Sequence, residues 1–194
     1  MKVTYLNHRF KDVIIALAIS QDYERSLGKI QLQKYIYIID TLSVIASVVA
    51  PKNGHETYKH GPWDRKIQNA ADALAFRGFI NIDRSLTGER FSYSLSSSGI
   101  ELFQRIRKNT NFSKRVRLFE LVGIEVNKRG WHKLKALVYS EPTYLGSKGS
   151  WGNKFEYDSL ISNSSLRVLK DFDKMFSVPV GEENLVPIFF KLIE

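Results

Sequence analysis

Apolar positions recur every three or four residues along the first fifty. Residues 8 to 25 carry Phe10, Val13, Ile14, Leu17 and Ala18 on one face, the stripe of an amphipathic helix. Residues 29 to 49 are apolar nearly all round, through Ile30, Leu32, Tyr35, Ile36, Ile39, Leu42, Ile45 and Val49, and a helix of that kind is buried on every face. It is too short for a membrane span, and too polar at Gln31, Gln33, Lys34 and Asp40. Pro51-Lys52-Asn53-Gly54 reads as a turn, leading into a short connector with room for a strand through Tyr58.

Between residues 58 and 106 the period changes twice. Gly61-Pro62-Trp63-Asp64 predicts a helix start, with glycine at the cap, proline at the first helical position and Asp64 at the positive end of the dipole. Ile67, Ala70, Ala71 and Leu74 follow at helical spacing, and Gly78 suits the C-terminal cap. Phe79-Ile80-Asn81-Ile82 and Phe91-Ser92-Tyr93-Ser94-Leu95 then alternate at a period of two around Thr87-Gly88, which predicts a hairpin. Ser96, Ser97 and Ser98 offer caps for a helix with Ile100, Phe103 and Ile106 on one face. Helix, two-stranded ribbon and helix, in that order, predict a winged helix-turn-helix with a core through Leu32, Ile36, Ile39, Leu74, Phe79 and Leu95.

Further on, Phe112, Val116, Phe119 and Val122 suggest one helix, and Trp131, Leu134, Ala136, Leu137 and Val138 another. Pro142, Gly146, Gly149 and Gly152 predict a loop-rich segment, and residues 160 to 176 return to helical spacing through Leu166, Leu169, Phe172 and Phe176. Leu185, Val186, Ile188, Phe189, Phe190, Leu192 and Ile193 crowd the end of the chain, where a helix docked on the domain is expected and a partner's surface is the alternative. The predicted fold is mainly α with a small β-hairpin (α+β). Residues 1–110 are expected to form a winged-helix core and residues 111–194 a helical extension packed on it, as one structural unit.

Composition narrows the classes. With 43% hydrophobic residues, 12 Phe, 9 Tyr and 3 Trp, the chain can bury a real core and is not expected to be disordered. Cysteine is absent, which excludes disulfides and thiolate metal sites and fits a reducing compartment. The start of the chain lacks the apolar core and cleavage site of a signal peptide, so the expected localisation is cytoplasmic, with no membrane association.

The formal charge of +9 is concentrated. Residues 105 to 135 hold ten basic side chains against Glu120 and Glu125, the footprint of a surface facing double-stranded DNA, with a solvated basic face as the plain alternative. On the helix opening at Pro62, Arg65, Gln68 and Asn69 lie opposite the apolar stripe with Lys66 on the flank, and such side chains bond base edges and phosphates. Arg84 and Arg90 bracket the ribbon tip, and Lys114, Arg115 and Arg117 extend the charge. Asp72 and Phe76 stand on the same outward face, where a carboxylate repels phosphate and a phenyl ring suits a protein partner, so a protein-docking scaffold is the competing reading. Phe76, Phe189 and Phe190 are the expected protein-interface anchors.

Catalytic constellations are poor. His8, His55, His60 and His132 have no metal-ligand spacing, and the chain has no nucleophile elbow, phosphate-binding loop or dinucleotide fingerprint. Neither a catalytic residue, a metal nor a cofactor is expected.

Leu32-Gln33-Lys34-Tyr35-Ile36-Tyr37, followed by Tyr58-Lys59-His60-Gly61-Pro62-Trp63 and the helix to Phe79-Ile80, resembles a group of small prokaryotic and phage-associated proteins. The group comprises the Panacea-type antitoxin domains and the middle components of ABC-three-component and Lamassu-like anti-phage systems. The resemblance covers residues 5 to 106. It implies a non-enzymatic accessory subunit in antiviral defence, paired with an ATPase of the SMC or Rad50 kind. A stand-alone, homodimeric DNA-binding regulator or an antitoxin paired with its toxin is the alternative.

Overall fold

The computed structural model describes residues 3–51, 54–84, 91–178 and 180–194, and of these the side chains from His8 onward. Among them the chain is mainly helical, with a small three-stranded antiparallel sheet. In order come α1 (Val3–Gln21), β1 (Leu27–Gly28), α2 (Lys29–Leu42), α3 (Arg65–Phe76), β2 (Ile80–Arg84), β3 (Phe91–Leu95), α4 (Ser97–Arg107) and α5 (Thr110–Arg129). A 3-10 turn at Trp131–Lys133 leads to α6 (Leu134–Ser140), α7 (Pro142–Ser147), α8 (Ser164–Asp173) and α9 (Glu182–Leu192).

The sheet order is β1-β3-β2. The predicted hairpin forms, with Ile80 opposite Leu95 and Ile82 opposite Tyr93; its turn at Thr87-Gly88, together with Arg90, lies outside the described residues. On the far edge Leu27 pairs with Tyr93. Two residues are too few to reveal a period, so β1 left no trace in the sequence pattern.

Helix α2 is the central rod, buried at every position from Leu32 to Leu42, as its all-round apolar pattern predicts. It stops at Leu42, short of the expected residue 49. Thr41 and Ser43 turn their hydroxyls back onto the carbonyls of Tyr37 and Ile39, at 2.9 and 2.7 Å, which loosens a helix end, and Ser47 then takes a left-handed conformation with φ of 50°. Val49, expected inside, is exposed.

Caps explain other boundaries. Asp64 is the N-cap of α3, accepting from the Lys66 amide at 2.8 Å, so the helix begins three residues after the predicted proline start. Gly78, at φ of 74°, ends it as anticipated. Ser96 caps α4 through the Gly99 amide at 3.2 Å. Gly99 itself lies against the Phe79 carbonyl with no room for a Cβ. That register leaves Ile100, expected on one face with Phe103 and Ile106, exposed while those two are buried. In the segment read as loop, Glu141 accepts from the Thr143 and Tyr144 amides at 3.0 and 2.8 Å and starts α7 at Pro142.

Of the expected core, Leu32, Ile36, Ile39, Leu74 and Leu95 are buried, and Phe79 is half-buried. At the C-terminus α9 packs on α5 and α8 and buries Leu185, Val186, Phe189, Phe190 and Ile193. Phe189 and Phe190 are thus core residues, a correction to their expected role as partner anchors: the chain covers its own apolar end. No helix among the described residues is long and apolar enough to cross a membrane.

Candidate nucleic-acid interface

The two halves of the Leu-Gln-Lys and Gly-Pro-Trp-Asp pattern meet in space. Gln33 holds the main chain of Asp64 from both sides, its amide donating to the Asp64 carbonyl and its oxygen accepting from the Asp64 amide, each at 2.9 Å. Lys34 donates to the Pro62 carbonyl at 2.8 Å. Gly61, at φ of 87°, passes so close that a Cβ there would lie 2.5 Å from Lys34 Nζ and 2.6 Å from the Tyr139 ring, so glycine is required by conformation and by space. These residues fix where α3 begins.

Behind that joint lies a charged cluster fully inside the protein. Arg9 donates to Asp64 at 2.8 Å, to Asp12 at 2.9 Å and to Asp40 at 2.8 Å. Arg115, from α5, reaches Asp12 at 2.6 and 2.9 Å, Asp40 at 2.8 Å and the Ser43 hydroxyl at 3.2 Å. Burial alone would raise the carboxyls of Asp12 and Asp40; Arg115 with His8 and Arg9 at the first, and Arg9 with His55 and Arg115 at the second, more than offset it and hold both well below the usual carboxylate range. His55 is buried beside them, its Nδ1 3.4 Å from Asp40 and 2.8 Å from the Tyr157 hydroxyl, and burial lowers its pKa despite Asp40. Arg115 is therefore a structural ion, not the phosphate contact expected of it. The missed signal is one of register: residues 9, 12, 40 and 115 fall on apolar helix faces, and charges of both signs on such faces imply partners across the core.

The other expected interface residues form two surfaces. On α3, Arg65 and Asn69 are exposed and Lys66 half-buried. Gln68 is tied down, donating to Asp72 at 2.6 Å and to the Tyr93 hydroxyl at 3.1 Å, which links the helix to the central strand. Phe76 closes this face at 94% exposure. Arg84 is exposed on the ribbon, its guanidinium 5.2 Å from the Phe91 ring centre. Lys114 and Arg117 stand exposed on α5, whose charge is partly neutralised: Arg107 and Arg117 pair with Glu120, and Lys128 and Arg129 with Glu125. Helices α3 and α5 both pack on α1 and make no comparable contact with each other, so the basic α5 surface does not continue the α3 face.

Beside α3 opens a cleft of about 630 Å³, missed by sequence reasoning because its walls come from three separate segments. Lys29, Ile30 and Lys34 of α2, Glu56, Tyr58, His60 and Trp63 of the connector, and Arg65, Gln68 and Asn69 of α3 line it. Glu56 and Trp63 pair through reciprocal main-chain bonds of 2.9 and 3.0 Å, making the connector a tight ribbon where a strand was anticipated. Burial, reinforced by Lys135, lowers the Lys34 ammonium to about 7. His60 lines this cleft while His55 is interior, and no group of side chains among the described residues could hold a metal ion. No protein-family model matches the chain, and no curated protein matches it at a significant level.

Proposed function

We propose that the chain is a non-enzymatic winged-helix module that binds duplex DNA, with α3 as the helix presented to the major groove and the β2–β3 ribbon as the wing. The observation that carries this reading is the firmly anchored start of α3. Gln33, Lys34 and the buried Asp64–Arg9 pair hold it, and Arg65 and Asn69 stand exposed one turn apart on its outer face. Element order and the β1-β3-β2 sheet suit a winged helix, and Arg84, exposed on the ribbon, is in this reading the wing's phosphate contact.

By its resemblance to the middle components of anti-phage systems, the module serves as an accessory subunit of a prokaryotic defence complex beside an SMC- or Rad50-like ATPase. The exposed Phe76 is then the anchor for that partner. A stand-alone regulator or antitoxin is the second reading, favoured by the C-terminus, whose aromatic residues are already covered by the chain's own core.

Titration of labelled duplex at low and physiological salt tests the DNA reading. Affinity is expected to fall steeply with salt. Arg65→Ala costs about 1–3 kcal/mol and relaxes sequence preference, whereas Lys114→Ala with Arg117→Ala weakens all sequences alike. Absence of binding at either salt overturns it. Co-purification from the native host separates the subunit from the solitary regulator.

A further inference from the structure

The cleft between α2, the connector and α3 has a chemistry of its own. Lys34 is 1% exposed, and its Nζ donates to a single carbonyl, that of Pro62; no carboxylate among the described residues lies within ion-pair distance. An ammonium carries three donors, so two remain. Lys29, also of α2, and Arg65, of α3, add cations to the lining, and His60 adds an imidazole ring. Two aromatic faces complete the cleft: Trp63, with Lys29 Nζ 5.1 Å from its centre, and Tyr58, 6.2 Å from Trp63. Glu56 is the one acidic residue of the lining.

We infer that this cleft is a nucleotide-binding site, in which Lys29, Lys34 and Arg65 hold a phosphate and a base stacks on Trp63 or Tyr58. A buried cation lacking a counter-ion gains most from an anion that also bonds its spare donors, and a phosphate offers both. Flanking π faces add stacking that tolerates any base, and the volume is of the size that encloses a small ligand. The same chemistry has two sources, a free nucleoside monophosphate and the unpaired, 5′-phosphorylated end of a strand. The inference goes beyond duplex recognition: Arg65 is shared with the proposed groove-facing set, but Lys34 and Trp63 stand outside it, so either reading can fail alone.

Calorimetric titration of the full chain with AMP, adenosine, inorganic phosphate, and a short single-stranded oligonucleotide with and without its 5′-phosphate tests it. AMP is expected to bind at least about tenfold more tightly than adenosine or phosphate, the ratio that one charge-assisted bond or one stacked ring supplies. A phosphate-dependent preference for the oligonucleotide over AMP identifies strand ends as the source; AMP binding alone identifies the free nucleotide. Lys34→Met and Trp63→Leu each lower affinity about tenfold, and Arg65→Gln, at an exposed position, does so without risk to folding. Failure of AMP and of the phosphorylated oligonucleotide to bind at millimolar concentration overturns the inference, as does binding that Arg65→Gln and Trp63→Leu leave unchanged.

Discussion

Arg115 and Arg117 stand two residues apart on α5 and occupy opposite environments. Arg115 is enclosed with Asp12, Asp40 and Arg9, whereas Arg117 is exposed and 3.8 Å from Glu120. The same residue type is a framework ion at one position and a solvated surface charge at the other. What separates them is helix phase, because Arg115 shares the stripe of Phe112, Val116 and Phe119. Net charge taken along the sequence therefore overstates the surface available to nucleic acid. The interior holds part of the basic charge, and Glu120 and Glu125 hold more.

That contrast gives the largest expected effect. Arg115→Met, which leaves Asp12 and Asp40 with Arg9 as their one guanidinium, is expected to destabilise the fold by about 3–5 kcal/mol, whereas Arg117→Met stays within about 0.5 kcal/mol. Equal midpoints for the two variants in chemical denaturation would break the comparison. Two aromatic residues extend it: Phe190→Ala, in the docked terminus, should cost about 3–5 kcal/mol, and Phe76→Ala almost nothing in the isolated chain. A large loss at Phe76 would show that its face is covered in solution.

Acid sharpens the contrast further. Asp12 and Asp40 have folded pKa values below their unfolded ones, so their contribution is fully present above about pH 4 and is lost as pH falls below it. Wild type should lose stability steeply there, and an Asp40→Asn variant much less so, when each is followed by circular dichroism against pH.

Lys34 supplies the last and least usual effect. Its ammonium, lowered to about 7 in the fold, is near 10.4 in the unfolded chain. Between those values the unfolded chain binds more protons, so this residue makes stability rise as pH is raised from about 7 toward 10. Lys34→Met should abolish that rise. The measurement is the difference in Tm between the two proteins at about pH 7 and pH 9, and a constant difference would mean that Lys34 titrates as a surface lysine.

Wherever one helix or one ribbon carries its own signal, the fold was legible. The all-round apolar pattern of α2, the stripe of α3, the alternation of β2 and β3 and the caps at Ser96 and Gly78 are local, and each forms. Joints between distant segments left no such mark. Asp64 was read for its dipole effect, yet it caps α3, is clasped by Gln33 and bonds Arg9 from 55 residues away. Of the candidate interface, Arg65, Asn69, Arg84, Lys114 and Arg117 are where periodicity points, at the surface, while Gln68 is engaged and Arg115 buried. The cleft at Lys34 was illegible because a lysine in an apolar helix gives no hint of which carbonyl it will meet.

The reach of Arg115 bears on how the protein is made. Its bonds to Asp12 and Asp40 span 103 and 75 residues. As the chain is synthesised, α1, α2 and the N-cap of α3 emerge carrying Asp12, Asp40 and Asp64, with Arg9 as the one guanidinium that meets these carboxylates, and the second arrives only with α5. Until then the future interior holds an excess of carboxylate that favours open, hydrated conformations over a dry core. The bonds of Arg115 thus cross residue 110 and tie the fifth helix to the first two, and a chain cut before it is expected to lack one of the two guanidiniums that Asp12 and Asp40 meet in the fold.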